Sequence, residues 1–290
     1  MTRFVGQGAG KLILTGEHAV VYGWPALAIA VDRGVKATIE ATDGPTHAVA
    51  GTPDDPRLKA ALIQALGREG WRVTLESDLP LGRGMGSSAA IAVALVRARA
   101  AAEQRSISPD DVFELAFSIE RIFHGTPSGL DHAVSSRGGL LRYVKGPPPH
   151  FTPLPCPRLT LVVLDSGSAG NTKDMVDQVR KQGEPAQRIL ARIGALVPQV
   201  EAALNDGPAL GALLTQNHAL LRELGVSSDR LDQLVQLALD AGAWGAKLAG
   251  AGGGGVVIAL CADPAPLLAS AAQHHIDAFI CTPAPPCEVQ

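Results

Sequence analysis

The sequence predicts an α+β fold in two domains, on three observations. β-prone runs crowd the first 80 residues and helical segments follow them. A proline-dense stretch, GPPPHFTPLPCP at 146–157, interrupts the chain near its middle. Beyond it an apolar strand gives way to helices and then to a second glycine-rich, strand-like region. The expected division is residues 1–150 and 151–290. With 290 residues, 46% of them hydrophobic, the chain can bury the core that two domains need.

Taken in order, Gly10–Thr15 and Ala26–Val31 are short β-prone runs joined by GEHAVVYGWP, a hairpin-like pair. Gly34–Ala41 and Trp71–Glu76 alternate apolar and polar side chains, as half-buried strands do. Between them Thr42–Pro56 reads as surface loop and 57–68 as a short amphipathic helix. Gly82, Gly84 and Gly86 then precede two serines and an alanine-rich helical run, Ile91–Ala102. In Ser108–Phe123 a serine cap, Pro109, Asp110 and Asp111 open a helix whose apolar stripe is Val112, Leu115, Ala116, Ile119 and Phe123. Glu120 falls near its end, where a carboxylate is electrostatically disfavoured unless it meets solvent or a cation. Gly125, Pro127 and Gly129 shape a loop before Asp131. In the second half Leu159–Asp165 reads as a buried strand. Two or three helices between Met175 and Leu239 are broken at Gly207 and Gly225, and KLAGAGGGGVVIAL fills 247–260.

The formal net charge is −3, which supplies no basic field for nucleic acid or an anionic membrane. No apolar run is long enough to span a bilayer, and MTRFVGQGAGK is too polar for a signal peptide, so a soluble, cytoplasmic protein is expected. Cys156, Cys261, Cys281 and Cys287 show no metal-ligand or redox spacing and read as free thiols.

The run PLGRGMGSSAA at 80–90 delivers a glycine-rich backbone onto a helix start, where unpaired N–H groups and the helix dipole favour a phosphate. The plain alternative is a flexible turn with Ser87 or Ser88 as an ordinary N-cap. Phosphoryl transfer also needs a divalent cation held by hydroxyl and carboxylate oxygens, a lysine, and a group that orients the acceptor hydroxyl. Lys11, after a Gly-Ala-Gly turn, and Asp131, among small and apolar neighbours, are candidates. Taken alone, the first is more readily a solvated surface lysine, and the second is an N-cap aspartate as readily as a base.

Four stretches together carry a resemblance: GKLILTGEHAVVYG at 10–23, PLGRGMGSSAA at 80–90, ERIFHGTPSGLDHAVS at 120–135 and KLAGAGGGG at 247–255. They resemble, in the expected order, the motifs of the galactokinase, homoserine kinase, mevalonate kinase and phosphomevalonate kinase (GHMP) superfamily, and the GEHAVVYG and HGTPSGLDHAVS wordings are most similar to its mevalonate kinase branch. The resemblance implies an N-terminal domain like the second domain of ribosomal protein S5 and a ferredoxin-like C-terminal domain, with the site between them. It implies ATP and Mg²⁺ as cofactors, mevalonate as the small-molecule substrate, and a homodimer.

Position by position, the resemblance implies that Gly82, Arg83, Gly84, Met85, Gly86, Ser87, Ser88 and Ala89 bind ATP. Ser87 or Ser88 together with Glu120 would ligate Mg²⁺. Asp131 would act as catalytic base on the acceptor hydroxyl, with Lys11 beside it, and His18 would bind the substrate with them. Gly250–Gly254 would form a small-residue wall closing on the phosphate side. Ala9, Met85 and Ala249 stand where the family commonly has Pro, Leu and Thr. A phosphomevalonate or sugar kinase is the alternative, to which Arg83, Arg121, Arg142 and Lys145 are relevant. A non-catalytic ATP and metabolite sensor on the same fold is a further one.

Overall fold

The computed structural model describes residues 2–48, 55–80, 82–124 and 128–287. The first half comprises β1 (Arg3–Thr15), β2 (Ala26–Pro45), β3 (His47–Ala48), α1 (Pro56–Leu66), β4 (Glu69–Ser77), α2 (Ser87–Ala102), α3 (Pro109–His124), α4 (Leu130–Arg137), β5 (Leu140–Val144) and β6 (His150–Leu154). Its sheet runs β3-β4-β2-β5-β6, with β1 paired antiparallel to β2. The second half comprises β7 (Leu161–Asp165), α5 (Thr172–Lys181), α6 (Glu184–Ala202), α7 (Gly207–Glu223), α8 (Asp229–Asp240), β8 (Gly245–Ala249), β9 (Val256–Leu260), α9 (Ala265–Gln273) and β10 (Ala278–Cys281). Its antiparallel sheet has the order β10-β7-β9-β8, the 4-1-3-2 arrangement of a β-α-β-β-α-β unit. An α+β architecture with one sheet in each half is what the sequence predicts.

Several elements differ from the sequence reading. Ala26–Val31 and Gly34–Ala41 are one strand, because β1 stays paired past Asp32 and Arg33 by a register shift between Ala9 and Gly10. That strand reaches Pro45, so the expected loop begins later, and its 49–54 portion lies outside the described residues. Four helices, not two or three, fill the span up to β8, and Gly207 opens α7 instead of breaking a helix. On α3 the buried face is Val112, Phe113, Ala116, Ile119 and Glu120, while Leu115 is exposed. Phe113 replaces it because its ring packs on His132 and Phe151, 4.7 and 5.0 Å away by ring centroids. The proline-dense stretch contains β6, which pairs with β5 in the first sheet.

One packing contact positions everything that follows. α2 is alanine-rich and buried on nearly every side, so it lies inside the protein and not along its surface. It rests directly on β1. A Cβ added at Gly6 would stand 2.1 Å from the Ala94 carbonyl oxygen, and one at Gly8 would stand 2.1 Å from that of Ala90. Only glycine permits this approach, and it brings the start of α2 alongside Lys11. The two sheets share a core: Leu12, Leu14 and Ile29 of the first belong to one apolar cluster with Val163, Ile258 and Leu260 of the second. After β10 the chain returns to the first half, bridging Pro283 to Val31 and Pro286 to Gly138. The four cysteines are free thiols, and among the described residues no helix is long and apolar enough to cross a membrane.

Candidate active site

Lys11 lies on β1, buried to 3% exposure, and its Nζ stands 3.2 Å from Asp131 Oδ1. It also donates to the Gly84 carbonyl at 3.0 Å, and its backbone N–H donates to the Met85 carbonyl at 2.9 Å. Asp131 retains 35% exposure, so the pair is closed at the ammonium and open at the carboxylate. Asp131 is not an N-cap. It occupies the first turn of α4, where the dipole favours an acid, and the cap is Gly129 with φ 95°. A Cβ there would collide with the Tyr143 hydroxyl, which donates to the Ser128 carbonyl.

The glycine loop ends at Gly86, which caps α2 in the left-handed conformation with no side-chain hydrogen bond to the helix start. The first N–H groups of α2 are thus open to an anion. Lys11 packs on this glycine, where a Cβ would come 3.0 Å from its Cγ. The loop after β8 closes the other side: a Cβ at Gly84 would stand 3.0 Å from the Ala249 carbonyl oxygen, and one at Gly250 would stand 3.3 Å from Gly84 Cα. Main chain therefore faces main chain between the two glycine loops. Arg83 pairs with the second half, its Nε 3.3 Å from Asp165 Oδ2 at the end of β7. Met85 and Ala89 are buried, and the Met85 side chain belongs to the core.

Ser88 Oγ donates to Glu120 Oε1 at 2.8 Å and lies 3.0 Å from His124 Nε2. Glu120 is 1% exposed, and its Oε2 has no hydrogen-bond partner among the described residues. Burial pushes its carboxyl up to about 7; the nearby Asp131 adds to the rise, while the Ser88 hydrogen bond and Lys11 oppose it. The acid at a helix end predicted to meet solvent or a cation therefore faces inward, with one oxygen unclaimed. Burial likewise pushes the His124 imidazole down. Among the described residues no group of three or more His, Cys, Asp and Glu forms a metal cage. The hydroxyl of Ser88 and the carboxylate of Glu120 are the hard oxygen donors that Mg²⁺ prefers, and the unpartnered buried oxygen fits such a cation. Ser87 makes no side-chain hydrogen bond among the described residues.

His18 sits on the turn after β1 at φ 60°, nearly buried, with its Nε2 2.8 Å from the Ala251 carbonyl oxygen. Burial lowers its pKa and keeps the ring neutral. Lys11, His18, Ser88, Glu120 and Asp131 are thus drawn from β1, its following turn, α2, α3 and α4. The sequence reading missed His124, although an i,i+4 position relative to Glu120 on α3 was signal enough. It also missed Asp165, which has no local signal because Arg83 is its partner across the fold. Leu81 and 125–127, including Gly125 and Pro127, lie outside the described residues.

The GHMP kinases N terminal domain matches residues 57–139, and the GHMP kinases C terminal region matches 197–277. A mevalonate kinase of Thermococcus sibiricus is 36% identical, covering 90% of each chain, and one of Pyrococcus horikoshii is 36% identical over 90% of this chain and 89% of that protein. The crystal structure of L. major mevalonate kinase in complex with R-mevalonate superposes with a TM-score of 0.85 at 30% identity, covering 97% of this chain and 96% of that one. Likeness of this identity, over nearly the whole length of each protein and with both halves of the fold matched, means that the chain belongs to the GHMP kinase family.

Proposed function

We propose that this chain transfers the terminal phosphoryl group of ATP to the primary alcohol of mevalonate, giving 5-phosphomevalonate for isoprenoid precursor synthesis, as a cytoplasmic homodimer. The observation that carries this reading is the Lys11–Asp131 pair, 3.2 Å apart beside the glycine loop, with Ser88 and Glu120 close enough for both charges to act on the Glu120 carboxyl. In phosphoryl transfer the protein supplies mainly position and charge. Asp131, the exposed member of its pair, orients the acceptor hydroxyl and takes its proton. Lys11 holds that carboxylate and places positive charge where the transferred group gains negative charge. The backbone from Gly82 to Gly86 and the N–H groups at Ser87, Ser88 and Ala89 cradle the phosphates, and Arg83 and Met85 contribute main chain to the same loop. Ser88, with Ser87 adjacent, and Glu120 hold Mg²⁺, which when bound neutralises phosphate charge. His18 contacts the acceptor.

On this reading residues 1–150 supply the nucleotide loop and Asp131, and residues 151–290 supply the second glycine loop. The phosphomevalonate kinase alternative needs cations free for a second phosphate. Three candidates are already engaged: Arg83 by Asp165, Arg121 over the Phe117 ring, and Arg142 by Glu201. The deciding experiment offers mevalonate, phosphomevalonate, homoserine and galactose in parallel with MgATP and follows ADP release. Signal with mevalonate is expected; silence there with turnover of another acceptor overturns the assignment.

A further inference from the structure

Glu17 and Lys247 take no part in the chemistry above, yet they are the most completely buried charge pair among the described residues, 1% and 0% exposed. Lys247 uses all three of its protons: its Nζ donates to Glu17 Oε1, to the Ile13 carbonyl at 3.1 Å and to the Leu248 carbonyl at 2.7 Å. The other carboxylate oxygen of Glu17 accepts from Asn217 Nδ2 at 3.0 Å. Every proton of the ammonium is used, each oxygen of the carboxylate already has a donor, and both side chains are closed off from solvent, so direct contact with substrate is not what the pair offers. A buried ion pair is also weak as a source of net stability, and fixing a geometry is its better-attested use.

The geometry it fixes is that of the next residue. Glu17 precedes His18, whose left-handed φ of 60° is unusual for a side chain of this size. The His18 ring donates from Nε2 to the Ala251 carbonyl, four residues beyond Lys247 on the same strand-to-loop segment. The peptide 17–18 is therefore tied to 247–251 at two points, by the ion pair at the root and by the imidazole at the tip. A neutral ring that donates from Nε2 carries a bare lone pair on Nδ1. That nitrogen has no partner among the described residues.

We propose that Glu17 and Lys247 are positioning residues, which hold His18 in its positive-φ conformation and its ring in the Nε2–H tautomer so that Nδ1 accepts a hydrogen bond from a hydroxyl of the phosphoryl acceptor. The inference rests on the reading of His18 as an acceptor-binding residue. The test compares wild type with the double variant Glu17→Gln/Lys247→Met, which removes both charges at once and avoids stranding either one. ¹⁵N-histidine NMR, with His18→Asn to assign the resonances, reads the tautomer, and steady-state kinetics with mevalonate and MgATP read the consequence. The double variant is expected to lose the fixed Nε2–H signature and to raise KM for mevalonate about tenfold, with KM for MgATP changed less than twofold. A wild-type ring spectrum in the double variant overturns the proposal, as does a fall in thermal stability with both KM values unchanged or raised together. If wild-type protein turns over no mevalonate, the functional reading fails separately, and the ring spectrum still decides whether the pair sets the tautomer.

Discussion

Replacing Glu120 by Gln should make the nucleotide-free protein more stable at alkaline pH relative to wild type, and the gain should fade as the pH falls. Burial raises this carboxyl from 4.5 to about 7, so the native state holds the proton more tightly than the unfolded chain does. A raised acid contributes its stability fully below about 4.5, loses it as pH climbs towards 7, and levels off above that value. A shift of this size carries roughly 1.4 kcal/mol per unit, about 3 kcal/mol in all, of which about 2.5 kcal/mol accumulates between pH 5 and pH 8. The amide in the variant leaves an N–H₂ where Oε2 had no partner, a cost of about 1–3 kcal/mol that is the same at every pH. The informative quantity is therefore the change with pH of the stability difference between the two proteins. Thermal melts of both, without nucleotide or divalent cation, in matched ionic strength from pH 5 to 8.5, should diverge by several degrees. Parallel curves would refute the reasoning, because they would mean that Glu120 is ionised in the native state at no cost and is not desolvated where it lies.

Four further outcomes are expected. Asp131→Asn should retain ATP binding while turnover falls by at least about 10²-fold, since the residue that orients and deprotonates the acceptor is lost; single-turnover phosphorylation at near-wild-type rate would remove Asp131 from that role. Gly8→Ala should destabilise by at least about 2 kcal/mol in chemical denaturation, because its Cβ would stand 2.1 Å from the Ala90 carbonyl oxygen. Gly44→Ala, where an added Cβ meets nothing within 4 Å, should change stability by less than about 0.5 kcal/mol. Ser88→Ala should weaken Mn²⁺ binding, measured by electron paramagnetic resonance with ATP present, far more than Ser87→Ala does, since only Ser88 touches Glu120.

How much of this is legible in the sequence depends on the range of the interaction. The glycine loop, the helix after it and the capped start of α3 are written in local composition: α3 lies within one residue of its expected ends, and α2 ends at Ala102 as expected but begins at Ser87, four residues before Ile91. The join of Ala26–Val31 to Gly34–Ala41 is not, because the partner strand, not the intervening Asp32 and Arg33, decides whether a strand continues. Phe113 taking the place of Leu115 on the buried face of α3 reflects rings contributed by α4 and β6, which periodicity alone cannot weigh. At the candidate site, motif resemblance picked out Lys11, Ser87 or Ser88, Glu120 and Asp131 as a group, and the contact of Ser88 with Glu120 is what separates the two serines. Asp165 and the Glu17–Lys247–Asn217 network escaped because each is an encounter between side chains more than 80 residues apart.

The meeting of the two glycine loops bears on how this protein could change under selection. Where Gly84 lies against Ala249 and Gly250, an intruding molecule would grip peptide groups on both walls, and peptide groups are the same whatever the codon. The usual route to resistance, swapping one side chain for a bulkier or charged one, is opposed there by positive φ at Gly84 and Gly250 alike and by the tight approach of the facing backbone. An inhibitor anchored on that seam would leave escape to positions outside it.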